Sequence, residues 1–144
     1  MLKKFNSCQK GAAAVEFAIV LPLLVLLMGG IIEFGIILYD QQVLNNATRE
    51  GVRAAINTIP SSLTVDQVKE IVVDYCKNGN KFLTISFSSN TFDTTNVNVV
   101  NVPCDEDDDV VVSATFTYHL FLPKILFPGN TFNLTSTTTM MCMK

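Results

Sequence analysis

An α+β fold is predicted by the distribution of apolar residues along the 144-residue chain. Residues 17–32 contain no charged side chain, which is typical of a helix that crosses a membrane. Apolar residues then recur at helical spacing over 65–77, and several runs rich in β-branched and aromatic residues follow. We therefore expect a long N-terminal transmembrane helix, followed by a small extracytoplasmic domain with a second helix and an antiparallel sheet of about four strands.

The N-terminal apolar segment has the length of a membrane span. From Ala12 to Ile32 it comprises 21 residues, or about 31 Å of helix at roughly 1.5 Å per residue. A domain this small can hardly enclose a helix that is apolar on every side. We expect the helix to cross the membrane over about 12–38, to continue outside it to about Asn57, and to end before Pro60.

Charge predicts the orientation of this helix. Three lysines and no acidic residue lie within residues 1–11, so the positive-inside rule places the N-terminus in the cytoplasm and residues 58–144 on the other side. Residues 12–144 carry seven basic and thirteen acidic residues, a formal charge of −6. Because such a chain lacks the basic surface that nucleic-acid binding requires, no nucleic-acid partner is expected.

The residues at the start of the span indicate processing. Small residues occupy 11–14, before the apolar segment, whereas a secretory signal peptide has its small-residue cleavage site after it. This order favours cleavage on the cytoplasmic side of an anchor that stays in the membrane. Glu16 then lies in the first turns of the anchor, where a charged side chain is unfavourable by about 2.5–3.5 kcal/mol at mid-bilayer. We expect Glu16 to be neutral, to lie near the interface, or to pair with a positive group.

Several residues of the long helix suit close packing. Pro22 removes one backbone hydrogen bond and is expected to bend the helix. The glycines that would let another helix approach are Gly29, Gly30 and Gly35. Farther along, small residues recur every four positions and form a smooth ridge of Ala47, Gly51 and Ala55. The ridge is expected to pack against the C-terminal domain, with another subunit as the alternative.

A second acidic residue, Glu33, occurs near the outer end of the span. It follows Glu16 by 17 residues, so at roughly 100° per residue the two side chains point about 100° apart and do not form one site. We interpret Glu33 as a marker of the membrane interface.

The rest of the chain predicts a second helix and strands. Thr64 and Gln67 have the spacing of a capping box, which predicts a helix over about 65–77 that ends at Asn78-Gly79. Strands are then predicted over 82–87, 97–102, 110–118 and 131–141. The connection "LPKILFPG" between the last two is apolar, and we expect it to cover the sheet edge or to contact a partner.

Three of the four cysteines fall in the extracytoplasmic part, where disulfides form, while Cys8 lies in the basic leader. We expect a disulfide between Cys76 and Cys104, with Cys104–Cys142 as the alternative, and no zinc site. An acidic run follows Cys104, and a weak calcium candidate within it consists of Asp105, Asp107 and Asp109. A solvated loop is the favoured interpretation of this run.

Catalytic motifs are lacking in the sequence. His119 is the single histidine, and no G-x-S-x-G, P-loop or H-E-x-x-H pattern occurs. We therefore expect neither enzymatic activity nor a cofactor, and we interpret His119 as a residue on the face of a strand.

The N-terminal third of the chain resembles TadE-like proteins, the minor pilin-like subunits of the tight-adherence pilus apparatus. The residues that carry the resemblance are Gly11, Glu16-Phe17, Leu21-Pro22, Glu33-Phe34-Gly35, Tyr39, Arg49-Glu50-Gly51 and Arg53-Ala54. Gly11 with Glu16 also resembles the broader type IV prepilin signature. The resemblance extends from Gly11 to Ala55.

This resemblance implies a processing step and a set of partners. A membrane-embedded prepilin peptidase is expected to cleave after Gly11, so that residues 1–11 are a leader and Ala12 becomes the N-terminus. Glu16, followed by Phe17, would then pair with an N-terminal amine during assembly. The other implied partners are further pilin and pseudopilin subunits, the assembly platform and the lipid bilayer of the bacterial inner membrane.

The function expected from the resemblance is that of a minor pilin, or pseudopilin, that initiates or supports assembly of a tight-adherence pilus. The domain division that goes with it is a leader over 1–11, the long helix over 12–57 and an extracytoplasmic α+β domain over 58–144. The alternative is an adhesin, anchored in the membrane or at the pilus tip, whose β domain binds a surface or a macromolecular ligand.

Overall fold

One continuous helix, α1, runs through the N-terminal part of the protein from Ser7 to Asn57. The computed structural model describes residues 7–57, 63–77, 92–103, 108–120 and 131–142. Within these ranges the elements after α1 are helix α2 (Val65–Lys77), a short 3-10 turn (Thr94–Asn96), and strands β1 (Val97–Val100), β2 (Asp109–His119) and β3 (Thr131–Met141). The predicted α+β fold with its long N-terminal apolar helix is confirmed.

The two halves of α1 have different surroundings. Residues 11–28 are exposed, and the helix continues through Pro22. In the second half, buried apolar residues recur at intervals of three and four, with Leu44 and Val52 fully enclosed. Such spacing puts them on one face of a helix. The domain therefore packs around the second half of α1 and leaves the first half uncovered.

Helix α2 begins with the predicted capping box. The Thr64 backbone N–H donates to Gln67 Oε1 at 2.9 Å, and the Gln67 backbone N–H donates to Thr64 Oγ1 at 3.4 Å. These bonds satisfy donors that the first helical turn would otherwise leave unpaired. The buried face of α2 consists of Val68, Val72, Val73 and Cys76.

The three described strands form an antiparallel sheet in the order β1-β2-β3. Residues of β2 alternate between buried and more exposed, because successive side chains of a strand point to opposite faces. The sequence predicted about four strands, and the first of them, at 82–87, lies outside the described residues.

Strand β1 is shorter than predicted. It stops at Val100, because Asn101 has φ 61°, in the left-handed region that a strand does not use. The Asn101 side chain donates through Nδ2 to the Asp109 backbone oxygen at 3.0 Å and thereby bridges to the start of β2. The following peptide bond between Val102 and Pro103 is cis.

The core lies between the sheet and the two helices. Val110, Val112 and Leu134 of the sheet face Leu44 and Val52 of α1, and the apolar face of α2 completes the cluster. At the edge of this cluster, the rings of Phe92 and Phe116 meet edge to face with centroids 6.2 Å apart. Burial of apolar surface from all three layers is the main stabilising contribution.

Polar side chains fix the direction of β3 along α1. Thr48 Oγ1 forms hydrogen bonds of 2.9 Å with the hydroxyls of Ser136 and Thr138, and Gln41 Nε2 donates to the Thr135 backbone oxygen at 3.0 Å. Residues later in β3 therefore contact residues later in α1, so the two elements run in the same direction. It follows that the end of β2 and the beginning of β3 form the end of the sheet nearest the apolar half of α1.

Candidate membrane anchor and carboxylates at its C-terminal end

The apolar half of α1 is a candidate membrane anchor. The helix from Gly11 to Asn57 contains an 18-residue window of mean hydropathy 2.5, no part of which is buried. None of the residues from Gly11 to Ile32 is buried, and these 22 residues measure about 33 Å as a helix. Since the hydrocarbon core of a bilayer is about 30 Å thick, this segment has the length and composition to cross it.

Gly11, Ala12 and Glu16 lie at the N-terminal end of this anchor. All three are exposed, and a β carbon built on Gly11 would have nothing within 4 Å. Phe17 is 62% exposed beside Glu16. No described element of the domain covers these residues, so their surface is open to lipid or to another chain.

Two buried carboxylates lie at the C-terminal end of the anchor. Glu33 is 7% exposed and Asp40 is 0% exposed. They are seven residues apart, which at 3.6 residues per turn places them on the same side of α1. The domain covers this side, since Tyr118 of β2 is also buried and lies within electrostatic range of both carboxylates.

Asp40 is buried without a hydrogen-bond partner for either carboxylate oxygen in the described part of the chain. Removal from water disfavours the ionised form, so burial raises the pKa of Asp40 to about 6. The pKa of Tyr118 is also raised, first by burial and then by the charges of Glu33 and Asp40. These three groups therefore form a titratable cluster where the domain meets the anchor.

Sequence reasoning identified Glu33 but missed Asp40. Asp40 follows Glu33 by seven residues, and this spacing could have identified it, because it places both acids on one helix face. That this face is buried depends on β2 folding back against α1, which local sequence does not reveal.

The predicted packing residues fall into two groups. A β carbon built on Gly30 or Gly35 would contact nothing within 4 Å, and Pro22 is exposed. Ala47 and Ala55 are buried at 0% and 5% exposure, and a β carbon on Gly51 would lie 2.5 Å from Val72 Cγ2. The ridge therefore packs against the chain's own domain. That Pro22, Gly29, Gly30 and Gly35 pack against other helices remains a prediction.

The preferred disulfide, Cys76–Cys104, was wrong. Cys76 carries a thiol in the buried face of α2, whereas Cys142 is disulfide-bonded. The partner of Cys142 is outside the described residues, but the Cys142 backbone N–H donates to the Asp108 oxygen at 3.0 Å, four residues after Cys104. The physical reason for the correction is that Cys142, at the end of β3, adjoins the segment that follows Cys104. The alternative, Cys104–Cys142, remains a prediction with this support.

The remaining candidates provide no reaction centre in the described ranges. Asp105 and Asp107 lie outside them, Asp109 is exposed at the start of β2, and no group of three potential metal ligands occurs within the described residues. His119 is exposed at the end of β2, opposite Thr131. The connection "LPKILFPG" also lies outside the described residues.

A shallow groove on α2 combines several charged side chains. Its lining includes Glu50, Glu70, Asp74 and Lys77.

Comparison with known families decides what the anchor resembles. Residues 11–53 match the family model described as TadE-like protein. The match begins at the glycine before the predicted cleavage site and covers the anchor with most of the second half of α1. It confirms the resemblance seen in the sequence, and it ends two residues before Ala55. No curated protein and no solved structure matches the chain.

The TadE-like segment contains the site residues that α1 contributes. Gly11 and Glu16 are exposed at its N-terminal end, Glu33 and Asp40 are buried where the anchor meets the domain, and Gly51 lies in its contact with α2. The sheet and α2 lie outside the matched segment.

Proposed function

We propose that this protein is a minor pilin, or pseudopilin, that initiates or supports assembly of a tight-adherence pilus. The observation that carries the proposal is an uncovered apolar helix that matches TadE-like proteins and has Gly11 and Glu16 at its exposed inner end. The protein is anchored in the bacterial inner membrane with its N-terminus in the cytoplasm and its domain outside. It acts by association and catalyses no reaction.

Cleavage by a prepilin peptidase creates the charge that Glu16 requires. Scission after Gly11 leaves an α-ammonium on Ala12, four residues and about one helical turn before Glu16. Because water is excluded from the bilayer, attraction between a carboxylate and an ammonium is stronger there than in solution. Only the processed chain carries this cation at the inner end of the anchor.

The exposure of Glu16 favours pairing between subunits. Within the described residues no other element approaches it, and its own helix continues on both sides. The N-terminal ammonium of a neighbouring subunit can therefore reach it, while Phe17 packs beside the pair. Such pairing sets the axial register of adjacent helices, and other pilins and the assembly platform are the corresponding partners.

The experiment combines the native N-terminus with fibre formation in the producing bacterium. Mass spectrometry of protein isolated from membranes is expected to find a chain that begins at Ala12. A Gly11→Val variant is expected to retain the leader, while Gly30→Ala, at an open position of the anchor, is processed normally. Intact N-termini in the parent protein would contradict the proposal.

The role of Glu16 is tested separately from processing. A Glu16→Gln protein is expected to be cleaved and to accumulate, but to lower the number of fibres per cell at least several-fold. Glu50→Gln serves as the control, because Glu50 is an exposed acid of the same helix outside the anchor. Deletion of the whole protein with unchanged fibre number and lost surface attachment would instead favour an adhesin.

A further inference from the structure

Phe132 marks the end of the sheet nearest the anchor. It is the second residue of β3 and pairs with Tyr118 of β2. Tyr118 lies within electrostatic range of Glu33 and Asp40, so this pair is level with the outer end of the anchor. Phe132 has the same strand parity as the buried Leu134 and therefore points to the α1 side of the sheet, yet it is 51% exposed.

At this level of the molecule the acidic side chains are buried and the large apolar side chains are exposed, which is the reverse of a surface that faces water. The carboxylates of Glu33 and Asp40 are turned inward, whereas Leu38 and Tyr39 are 55% and 44% exposed. On a solvated surface, charged groups are normally outside and large apolar groups are mostly covered. Leu38 and Tyr39 lie on sides of α1 that the domain does not cover, and Phe132 is exposed at the same level of the molecule. These three exposed residues are called the apolar end surface here, because they share one level and not because they are in contact.

We propose that this apolar end surface rests in the headgroup region of the outer leaflet, so that the lipid surface holds the domain in addition to the anchor. This inference depends on the membrane anchoring in the proposed function. Continuity with the anchor identifies lipid as the occupant. The uncovered segment from Gly11 to Ile32 measures about 33 Å, and the step from Glu33 to Tyr39 adds about 10 Å.

These lengths place the end surface at the interface. With a hydrocarbon core of about 30 Å and a total thickness of about 40–45 Å, Tyr39 and the neighbouring end of the sheet fall at headgroup depth. Aromatic rings are enriched at this depth in membrane proteins. The inward orientation of Glu33 and Asp40 keeps both carboxylates away from the lipid headgroups, which include anionic species.

The chain contains no tryptophan, which provides a clean optical test. A Phe132→Trp variant of the full chain is reconstituted into vesicles of phosphatidylcholine and phosphatidylglycerol, with or without lipids brominated near the headgroup end of the acyl chains. Met140→Trp is the matched control, since Met140 shares the strand and the parity of Phe132 and is 39% exposed. It lies eight residues farther along β3, about 26 Å from the proposed surface.

We expect brominated lipid to quench the Phe132→Trp indole at least two-fold more than the Met140→Trp indole, and aqueous iodide to quench it at least two-fold less. Equal iodide quenching at both positions, without an effect of bromine, would overturn the inference. Protection from both quenchers would also overturn it and would identify another subunit as the occupant.

A third variant separates this inference from the anchoring itself. Leu24→Trp places the indole in the middle of the uncovered segment, where lipids brominated near the acyl-chain ends are expected to quench it. Quenching at Leu24→Trp without quenching at Phe132→Trp would reject lipid contact by the domain and leave the anchor intact. Absence of quenching at Leu24→Trp would contradict the proposed function as well.

Discussion

A β carbon on Gly51 would lie 2.5 Å from Cγ2 of Val72, so the backbone of α1 and the side chains of α2 are in direct contact at this point. The absence of a side chain at Gly51 sets the distance between the two helices. Val112 of the sheet, at 3.6 Å from the same position, closes the contact from the other side.

Gly51→Ala is therefore expected to destabilise the domain. Alanine is favoured over glycine in a helix by about 1 kcal/mol, but Val72 is β-branched and has little freedom to move aside. Overpacking of this kind lowers the free energy of unfolding by about 1–3 kcal/mol. Denaturant unfolding of the full chain in detergent, followed by circular dichroism, measures the change.

Gly35→Ala is the matched control for this substitution. Its new methyl group would contact nothing within 4 Å, so it is expected to leave stability unchanged or to raise it slightly. Equal effects of the two substitutions would show that helix propensity, and not the contact with Val72, determines the result at Gly51.

The buried carboxyl of Asp40 predicts that stability depends on pH. Since burial raises its pKa from 3.8 to about 6, the folded protein binds more protons than the unfolded chain between these values. The contribution of Asp40 to the free energy of unfolding should therefore be greatest below about pH 4, fall as the pH rises to about 6, and change little above it. At about 1.4 kcal/mol per pKa unit, the loss at neutral pH is on the order of 3 kcal/mol.

Asp40→Asn removes the ionisation and is expected to flatten this dependence. Unfolding at pH 4, 5, 6 and 7 measures it, with Asp66→Asn as the control because Asp66 is exposed on α2. Glu33 and Tyr118 face Asp40 and are also ionisable. The contribution of Asp40 is therefore taken as the difference between the pH profiles of the parent protein and Asp40→Asn. A variant with the same slope between pH 4 and 6 as the parent protein would contradict the assignment to Asp40.

Thr48 is expected to contribute to the contact between α1 and β3. Thr48→Val keeps the shape of the side chain but removes the hydroxyl that bonds Ser136 and Thr138 at 2.9 Å. Leaving these groups without a partner should lower the free energy of unfolding by about 1–3 kcal/mol.

A double-mutant cycle tests whether Ser136 is the hydrogen-bond partner of Thr48. Thr48→Val is combined with Ser136→Ala, and the effects are expected to be less than additive. Thr137→Val, on the exposed face of the same strand, should leave stability within about 0.5 kcal/mol of the parent protein. Strict additivity of Thr48→Val and Ser136→Ala would contradict the hydrogen bond.

The state of the cysteines is open to direct chemical measurement. Alkylation of the processed protein under denaturing, non-reducing conditions is expected to label Cys76 and to leave Cys104 and Cys142 linked. Peptide mapping by mass spectrometry identifies the linked pair. Recovery of a peptide that joins Cys76 to another cysteine would contradict the prediction.

Local sequence signals predicted several elements closely. The spacing of Thr64 and Gln67 gave the start of α2, because a capping box depends on residues within a single turn. The four-residue recurrence of Ala47, Gly51 and Ala55 gave the ridge. In each case the residues that determine the feature lie within one helix, and the feature is present in the folded protein.

Features that depend on contacts between distant segments were not predictable in the same way. The choice between Cys76 and Cys142 depends on where β3 ends in space, and the burial of Asp40 depends on the return of β2 to α1. The early end of β1 depends on the positive φ of Asn101. The side chain of the same residue donates a hydrogen bond to the Asp109 backbone oxygen, in a distant part of the chain. Residue spacing along the chain does not encode these relationships.

The 51 residues of α1 form one continuous helix of about 77 Å, of which the first half is the candidate anchor and the second half lies in the domain core. No loop separates the two parts in the described residues, so the connection between them is helical throughout. In the proposed function, a displacement of the anchor along its axis is therefore transmitted to the domain through helix and not through a flexible linker.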